Sequence, residues 1–291
     1  METIGWIGTG IMGNSMCAHL LDAGYSCCIF NRTEEKEKQL IAKGAVPCAS
    51  PAEVASRSDI IFTMVGYPSD VQQVYFDSAK GCLSADVKGK VLVDMTTTEP
   101  KLAKEIFLRA VGKGASSLDA PVSGGDRGAR EATLSIMVGG DEKVFERILP
   151  LFQIMGKSVI YEGPAGSGQH TKMANQIVIS GTMIGVCEAM VYARRAGLDV
   201  TRMLRTIGGG AAGCWTLDNL APRVVKGDFN PGFMIDHFVK DMKIAIDESK
   251  AMGLNLPGLK LVCSIYEGLA ADGKGRLGTQ SLVKAIDSLA F

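Results

Sequence analysis

The chain has 291 residues, 46% hydrophobic and 21% charged, an ordinary balance for a folded protein long enough to form two domains. Lys+Arg and Asp+Glu both total 31, so no net charge draws the chain onto nucleic acid or an anionic membrane, and neither partner is expected. The eight cysteines are scattered, with no Cys-x-x-Cys or Cys/His cluster, which predicts reduced buried thiols in a cytoplasmic protein and no bound metal.

Residues 3–7 form a short apolar run with no basic leader before it. Gly8-Thr9-Gly10-Ile11-Met12-Gly13 follows, at the start of a helical pattern over 11–23. In this spacing Gly8 permits a tight turn, Gly10 lets the backbone approach a pyrophosphate, and Gly13 lets the helix pack closely on the strand. The free N–H groups and positive dipole end at the helix start suit phosphates, so these six residues are candidate dinucleotide contacts.

A second strand, over 26–30, ends in Phe30-Asn31-Arg32-Thr33, where an NAD-specific site usually places an acid on the ribose 2′-OH. Arg32 is suited to face a 2′-phosphate, and Asn31 and Thr33 to hydrogen-bond it. NADP(H) is therefore the expected cofactor, with NAD(H) second. A helix over 34–43, strands over 60–65 and 91–94, a helix over 101–111 and strands over 117–120 and 134–138 continue the alternation. This predicts an α/β protein with a Rossmann-type, mostly parallel sheet covered by helices on both faces. Ligands of such sheets sit at the carboxyl ends of strands, which makes Val65-Gly66-Tyr67 and the turn Asp94-Met-Thr-Thr97 candidate cofactor contacts.

Asp119-Ala-Pro-Val-Ser-Gly-Gly125 follows, and Ser123, Gly124 and Gly125 offer a hydroxyl and unobstructed N–H groups suited to a carboxylate. After Tyr161 the pattern changes to helices only, over 200–207, 239–252, 259–271 and 280–289. The domains are expected to be 1–163 and 164–291, the second beginning with a long interdomain helix. Lys172 and Asn175 share one face of that helix. Lys172 is the last charge before the charge-free stretch 173–187, so its amine is expected to be buried near the helix start, where burial and the dipole both lower an amine's pKa toward the range of proton transfer. Asn175 is suited to hold the substrate hydroxyl or carbonyl, and His170 reads as a surface or packing residue. The stretch 173–187 is shorter than the roughly 20 residues of a membrane span, so a helix buried within protein is expected. Gly181 and Gly185 would let another helix approach, as packing or as a subunit interface.

In this order, these elements resemble the β-hydroxyacid dehydrogenase family, whose members include 3-hydroxyisobutyrate dehydrogenase and the tartronate semialdehyde and glyoxylate/succinic semialdehyde reductases. The likeness rests on the GxGxMG start, the DAPVSGG turn, the GxGxxxKxxNQ segment and Phe238-Val-Lys-Asp-Met242. Similarity to plant 3-hydroxyisobutyrate dehydrogenase-like proteins adds Gly5-Trp-Ile-Gly-Thr-Gly10, Val65-Gly-Tyr-Pro-Ser-Asp70 and Leu277-Gly-Thr-Gln280. The resemblance implies Lys172 as general acid/base, Asn175 orienting the substrate, and Ser123, Gly124 and Gly125 on its carboxylate. It implies Thr97 and Lys240 at the nicotinamide end of the cofactor, and Phe233 and Asp241 lining the substrate pocket. A small carboxylate-bearing aldehyde or hydroxyacid is the implied substrate, and a homodimer or homotetramer the implied assembly. Trp215 departs from the small or polar residues of the family and is expected to narrow the pocket. Non-catalytic NADPH-binding relatives and imine reductases replace the lysine, so Lys172 speaks against both.

Overall fold

A computed structural model describes residues 2–289, which divide into two units after Lys172. In the first unit, short runs of apolar residues become strands buried on both faces, as a sheet sandwiched by helices requires. Its elements are β1 (Ile4–Ile7), α1 (Ile11–Asp22), β2 (Cys27–Phe30), α2 (Lys38–Ala42), β3 (Val46–Pro47), α3 (Pro51–Arg57), β4 (Ile60–Thr63) and α4 (Pro68–Phe76). They continue with β5 (Val91–Asp94), α5 (Pro100–Gly112), β6 (Ser116–Asp119), β7 (Val122–Ser123), α6 (Gly125–Arg130), β8 (Leu134–Gly140), α7 (Glu142–Met155) and β9 (Gly156–Gly163). The sheet runs β3-β2-β1-β4-β5-β6-β8-β7, with β9 on β8. Parallel pairing sets Ile4 beside both Cys27 and Ile60, while β8 runs antiparallel to β6 and β7.

Adjacent side chains of a strand point to opposite faces, and the core divides accordingly. Trp6 and Phe62 join Phe152 in one cluster, whereas Ile7 and Ile61 join Tyr75, Leu92 and Ile106 in another. Trp6 stacks on Phe62 at 5.4 Å, and Phe62 meets Phe152 edge-on at 6.1 Å. The mostly parallel Rossmann-type sheet with helices on both faces is thus present. Residues 34–43 differ from expectation: a 3-10 turn, Glu34–Glu37, precedes the five-residue α2. β9 gave no strand signal because most of its residues are exposed or half-buried.

α8 (Ser167–Arg195) begins in the first unit and runs on through the second. The first turn of this helix is bonded to the first unit: Gly166 and Gln169 donate backbone N–H groups to Asp119. Helices follow in α9 (Val200–Gly208), α10 (Trp215–Asn219), α11 (Ala221–Val225), α12 (Ile235–Ala251), α13 (Pro257–Leu269) and α14 (Leu282–Leu289). Their core gathers Phe238, Met242, Val262 and Tyr266, with Phe238 and Tyr266 edge-to-face at 5.2 Å.

By length and composition alone α8 could cross a membrane. It is buried on one face only, through Met173, Gln176, Ser180, Met183, Cys187 and Met190. Val178 and Tyr192 are exposed on the other, and beyond the helix's own backbone no atom lies within 4 Å of where a side chain on Gly181 or Gly185 would begin. The helix is thus buried along one stripe, where its apolar positions repeat at the helical period, and open on the face that carries Gly181 and Gly185.

Candidate functional site

In the first unit, β1 runs into Gly8, whose φ of +94° suits glycine and turns the chain into α1. A Cβ on Gly13 would lie 2.0 Å from the Gly8 carbonyl oxygen, so the helix presses against this turn. Gly10 caps α1 without a side-chain hydrogen bond, and a Cβ there would meet nothing within 4 Å. The helix start therefore presents free N–H groups to open space, which fits a pyrophosphate. Asn31 organises the neighbouring edge. Its Oδ1 accepts the Thr9 N–H at 3.0 Å, its Nδ2 donates to the Thr33 carbonyl at 2.8 Å, and its own N–H reaches the buried carboxylate of Glu37. Burial raises the Glu37 carboxyl above its usual range, against the Asn31 hydrogen bond. The Arg32 side chain is 76% exposed and pairs with Asp70 at 3.1 Å. Asp70 also accepts the N–H of Tyr67, tying the 65–67 segment to the Arg32 corner. A guanidinium at the rim of a glycine cradle fits the 2′-phosphate of NADP.

Beneath the cradle runs a buried polar network. Thr96 Oγ1 accepts the Val65 N–H at 3.0 Å, and Asp94 accepts that of Thr96 at 3.0 Å. Half-buried Thr97 lies between the buried Thr96 and Thr98. Asp119, at the end of β6, takes the N–H of Gly166 at 2.7 Å and of Gln169 at 2.9 Å. Burial pushes its carboxyl above the ordinary value, with these two bonds opposing. One helical turn beyond Gln169, Lys172 is 6% exposed and donates from Nζ to the Val122 carbonyl oxygen at 2.8 Å. Val122 directly precedes Ser123, so the amine lies on the strand that leads into Gly124 and Gly125. Lys172 and Val122, 50 residues apart in sequence, are brought together, which sets the amine beside the Ser-Gly-Gly turn.

In the second unit, Asn175 Nδ2 donates to Gln176 Oε1 at 2.7 Å, and Gln176 Nε2 donates to Asp241 Oδ2 at 2.6 Å. The other Asp241 oxygen pairs with Lys240 at 2.9 Å, both side chains being largely buried. Four predicted or adjacent residues thus form one connected chain: Asn175, Gln176, Asp241 and Lys240. Phe233 packs at 5.7 Å on Phe238. Trp215 opens α10 and is 60% exposed, so its indole stands at the surface of its own unit. Sequence reasoning assigned no role to Glu37, Asp70 and Gln169. Their partners are distant in sequence or lie in loops, so no periodicity marks them.

Residues 3–163 match the family described as the NAD-binding domain of 6-phosphogluconate dehydrogenase, and residues 166–286 that described as the NAD-binding region of NADP-dependent 3-hydroxyisobutyrate dehydrogenase. The chain belongs to the β-hydroxyacid dehydrogenase family. A probable 3-hydroxyisobutyrate dehydrogenase-like protein of Arabidopsis thaliana, named as mitochondrial, is 52% identical over 98% of this chain and 85% of its own. The 2-hydroxy-3-oxopropionate reductase of Escherichia coli is 41% identical over 99% and 98%. Among solved structures, 3-hydroxyisobutyrate dehydrogenase of Mycobacterium tuberculosis with L-serine superposes with a TM-score of 0.90, at 31% identity over 98% of this chain and 99% of that one. Family membership makes this protein an NAD(P)-dependent oxidoreductase, as the glycine cradle and the Lys172 segment led us to expect.

Proposed function

We propose that the protein interconverts a small β-hydroxyacid and its semialdehyde, with NADPH as the preferred cofactor. The observation that carries this reading is the buried Lys172 amine, held 2.8 Å from the Val122 carbonyl beside the Ser123-Gly124-Gly125 turn. The Ser123 hydroxyl and the N–H groups of Gly124 and Gly125 would take the substrate carboxylate. Asn175, three residues beyond Lys172 on α8, would orient the reacting oxygen. The cofactor, when bound, supplies or accepts the hydride. In reduction Lys172 gives a proton to the oxygen that becomes the hydroxyl, and in oxidation it takes that proton back. The Val122 carbonyl holds the amine in place for both directions. Thr97, Lys240, Phe233 and Asp241 are proposed to border the nicotinamide and the substrate, as in the family resemblance.

The named activities of the relatives, 3-hydroxyisobutyrate dehydrogenase and 2-hydroxy-3-oxopropionate reductase, support a substrate bearing a carboxylate close to the reacting carbon. Glyoxylate and succinic semialdehyde belong to the same chemical class. Screening all four substrates with both cofactors tests the reading, together with Lys172→Ala. That variant is expected to lose about 10²–10⁴ in kcat while binding NADPH normally. Turnover near wild type would refute the assignment of the lysine. The open face of α8, with Val178, Gly181, Gly185 and Tyr192, supports a homo-oligomer. The free cysteines, most of them buried, support a reducing, cytoplasmic setting.

A further inference from the structure

We infer that Gln169 is a positioning residue that fixes the 96–98 segment against the helical turn carrying Lys172, and so sets the spacing between the nicotinamide end of the cofactor and the amine. The inference rests on the function proposed above, in which Thr97 borders the nicotinamide.

Gln169 is fully buried, and both ends of its amide are used. Oε1 accepts the Thr98 N–H at 3.0 Å, and Nε2 donates to the Thr96 carbonyl at 2.7 Å. A primary amide that meets a donor and an acceptor of one backbone segment fixes that segment in rotation as well as in distance. Thr97, between the two bonded residues, has no freedom to turn away. The Gln169 backbone N–H is itself held by Asp119 at 2.9 Å, so the side chain projects from an anchored turn. Gln169 and Lys172 are three residues apart and share a helix face. The Lys172 amine is fixed in turn on the Val122 carbonyl. The ends of β5, β6 and β7 are therefore referred to one turn of α8, through a side chain that need not touch a reactant. Geometry matters here because a misplacement of ~1 Å in a reacting pair costs about 10²-fold in rate.

Gln169→Glu is the informative variant. It keeps the shape and the acceptor for Thr98, but an ionised carboxylate sets an oxygen against the Thr96 carbonyl, whereas a protonated one restores the donor. At a pH where this buried carboxyl is ionised, above its raised pKa, kcat is expected to fall about 10–100-fold, with NADPH affinity little changed because the phosphate cradle is untouched. As pH falls, activity should recover relative to wild type. The isotope effect with NADPH deuterated at the transferred position should rise, and the emission of bound NADPH should shift. Gln169→Leu, which removes both bonds, should show the same losses without recovery at low pH. If that variant fails to fold, the glutamate variant still decides. Wild-type kcat, isotope effect and bound-NADPH emission in folded Gln169→Leu, or in Gln169→Glu at a pH where its carboxyl is ionised, would overturn the inference. A wild-type protein that turns over no hydroxyacid or semialdehyde would instead overturn the functional reading, and the emission of bound NADPH would still report whether Gln169 positions the nicotinamide.

Discussion

Two glycines of one turn should fail in opposite ways when each is changed to alanine. At Gly13 the new methyl would begin 2.0 Å from the Gly8 carbonyl oxygen and 3.0 Å from Trp6 Nε1, which itself donates to that carbonyl at 3.0 Å. An ordinary contact needs about 3.5 Å, so α1 would have to move by about 1.5 Å against a packed core. Overpacking of this kind costs about 1–3 kcal/mol, and each kcal/mol lowers Tm by about 2–4 °C in a domain of this size. At Gly10 the methyl meets nothing, and φ of −68° with ψ of −170° is allowed to any residue. Loss of the favoured cap residue and gain from a stiffer unfolded chain are each about 1 kcal/mol or less and oppose one another. Gly10→Ala should therefore melt within a few degrees of wild type. Its methyl occupies the space where a pyrophosphate approaches the helix start, so NADPH affinity should fall at least about tenfold, or 1.4 kcal/mol. Thermal unfolding and fluorescence titration with NADPH separate the two effects. A Gly10→Ala protein that binds NADPH as wild type does, or a Gly13→Ala protein with unchanged Tm, would refute the reasoning.

Arg32→Ala should lower kcat/KM for NADPH by about tenfold or more, the worth of a charged hydrogen bond at an exposed site, while that for NADH changes little. Equal losses with both cofactors would show that Arg32 does not contact the 2′-phosphate. Glu37→Gln keeps an acceptor for the Asn31 N–H and removes a charge that burial disfavours. Because burial raises the folded pKa of Glu37 above its ordinary 4.5, the stability it contributes is full below that value and is lost as pH rises through the folded pKa. Urea unfolding across a pH series should then show Glu37→Gln gaining on wild type from about pH 4.5 upward. A gap moving the other way would mean that the hydrogen bond outweighs desolvation.

How legible the protein was depends on the sequence distance over which each signal acts. The strand, turn and helix of residues 4–22 could be read directly, because Gly8 and Gly13 meet steric demands set by residues a few positions away. The burial of Lys172 was also legible, since a lone charge before an apolar helix stretch has few other places to go. By contrast, β9 shows exposed residues without alternation, and the two-residue β3 and β7 are too short to carry a period.

The sequence by itself determined the class of fold, the glycine turn at the start of α1 and the burial of the Lys172 amine, all encoded in local spacing. Only the tertiary structure decided what holds those parts in register. Gln169 reaches back 71 and 73 residues to Thr98 and Thr96, Lys172 reaches 50 to Val122, and Arg32 meets Asp70 across 38. Such pairings depend on which strands become neighbours in the sheet, and strand order follows from packing the whole unit rather than from any window of sequence.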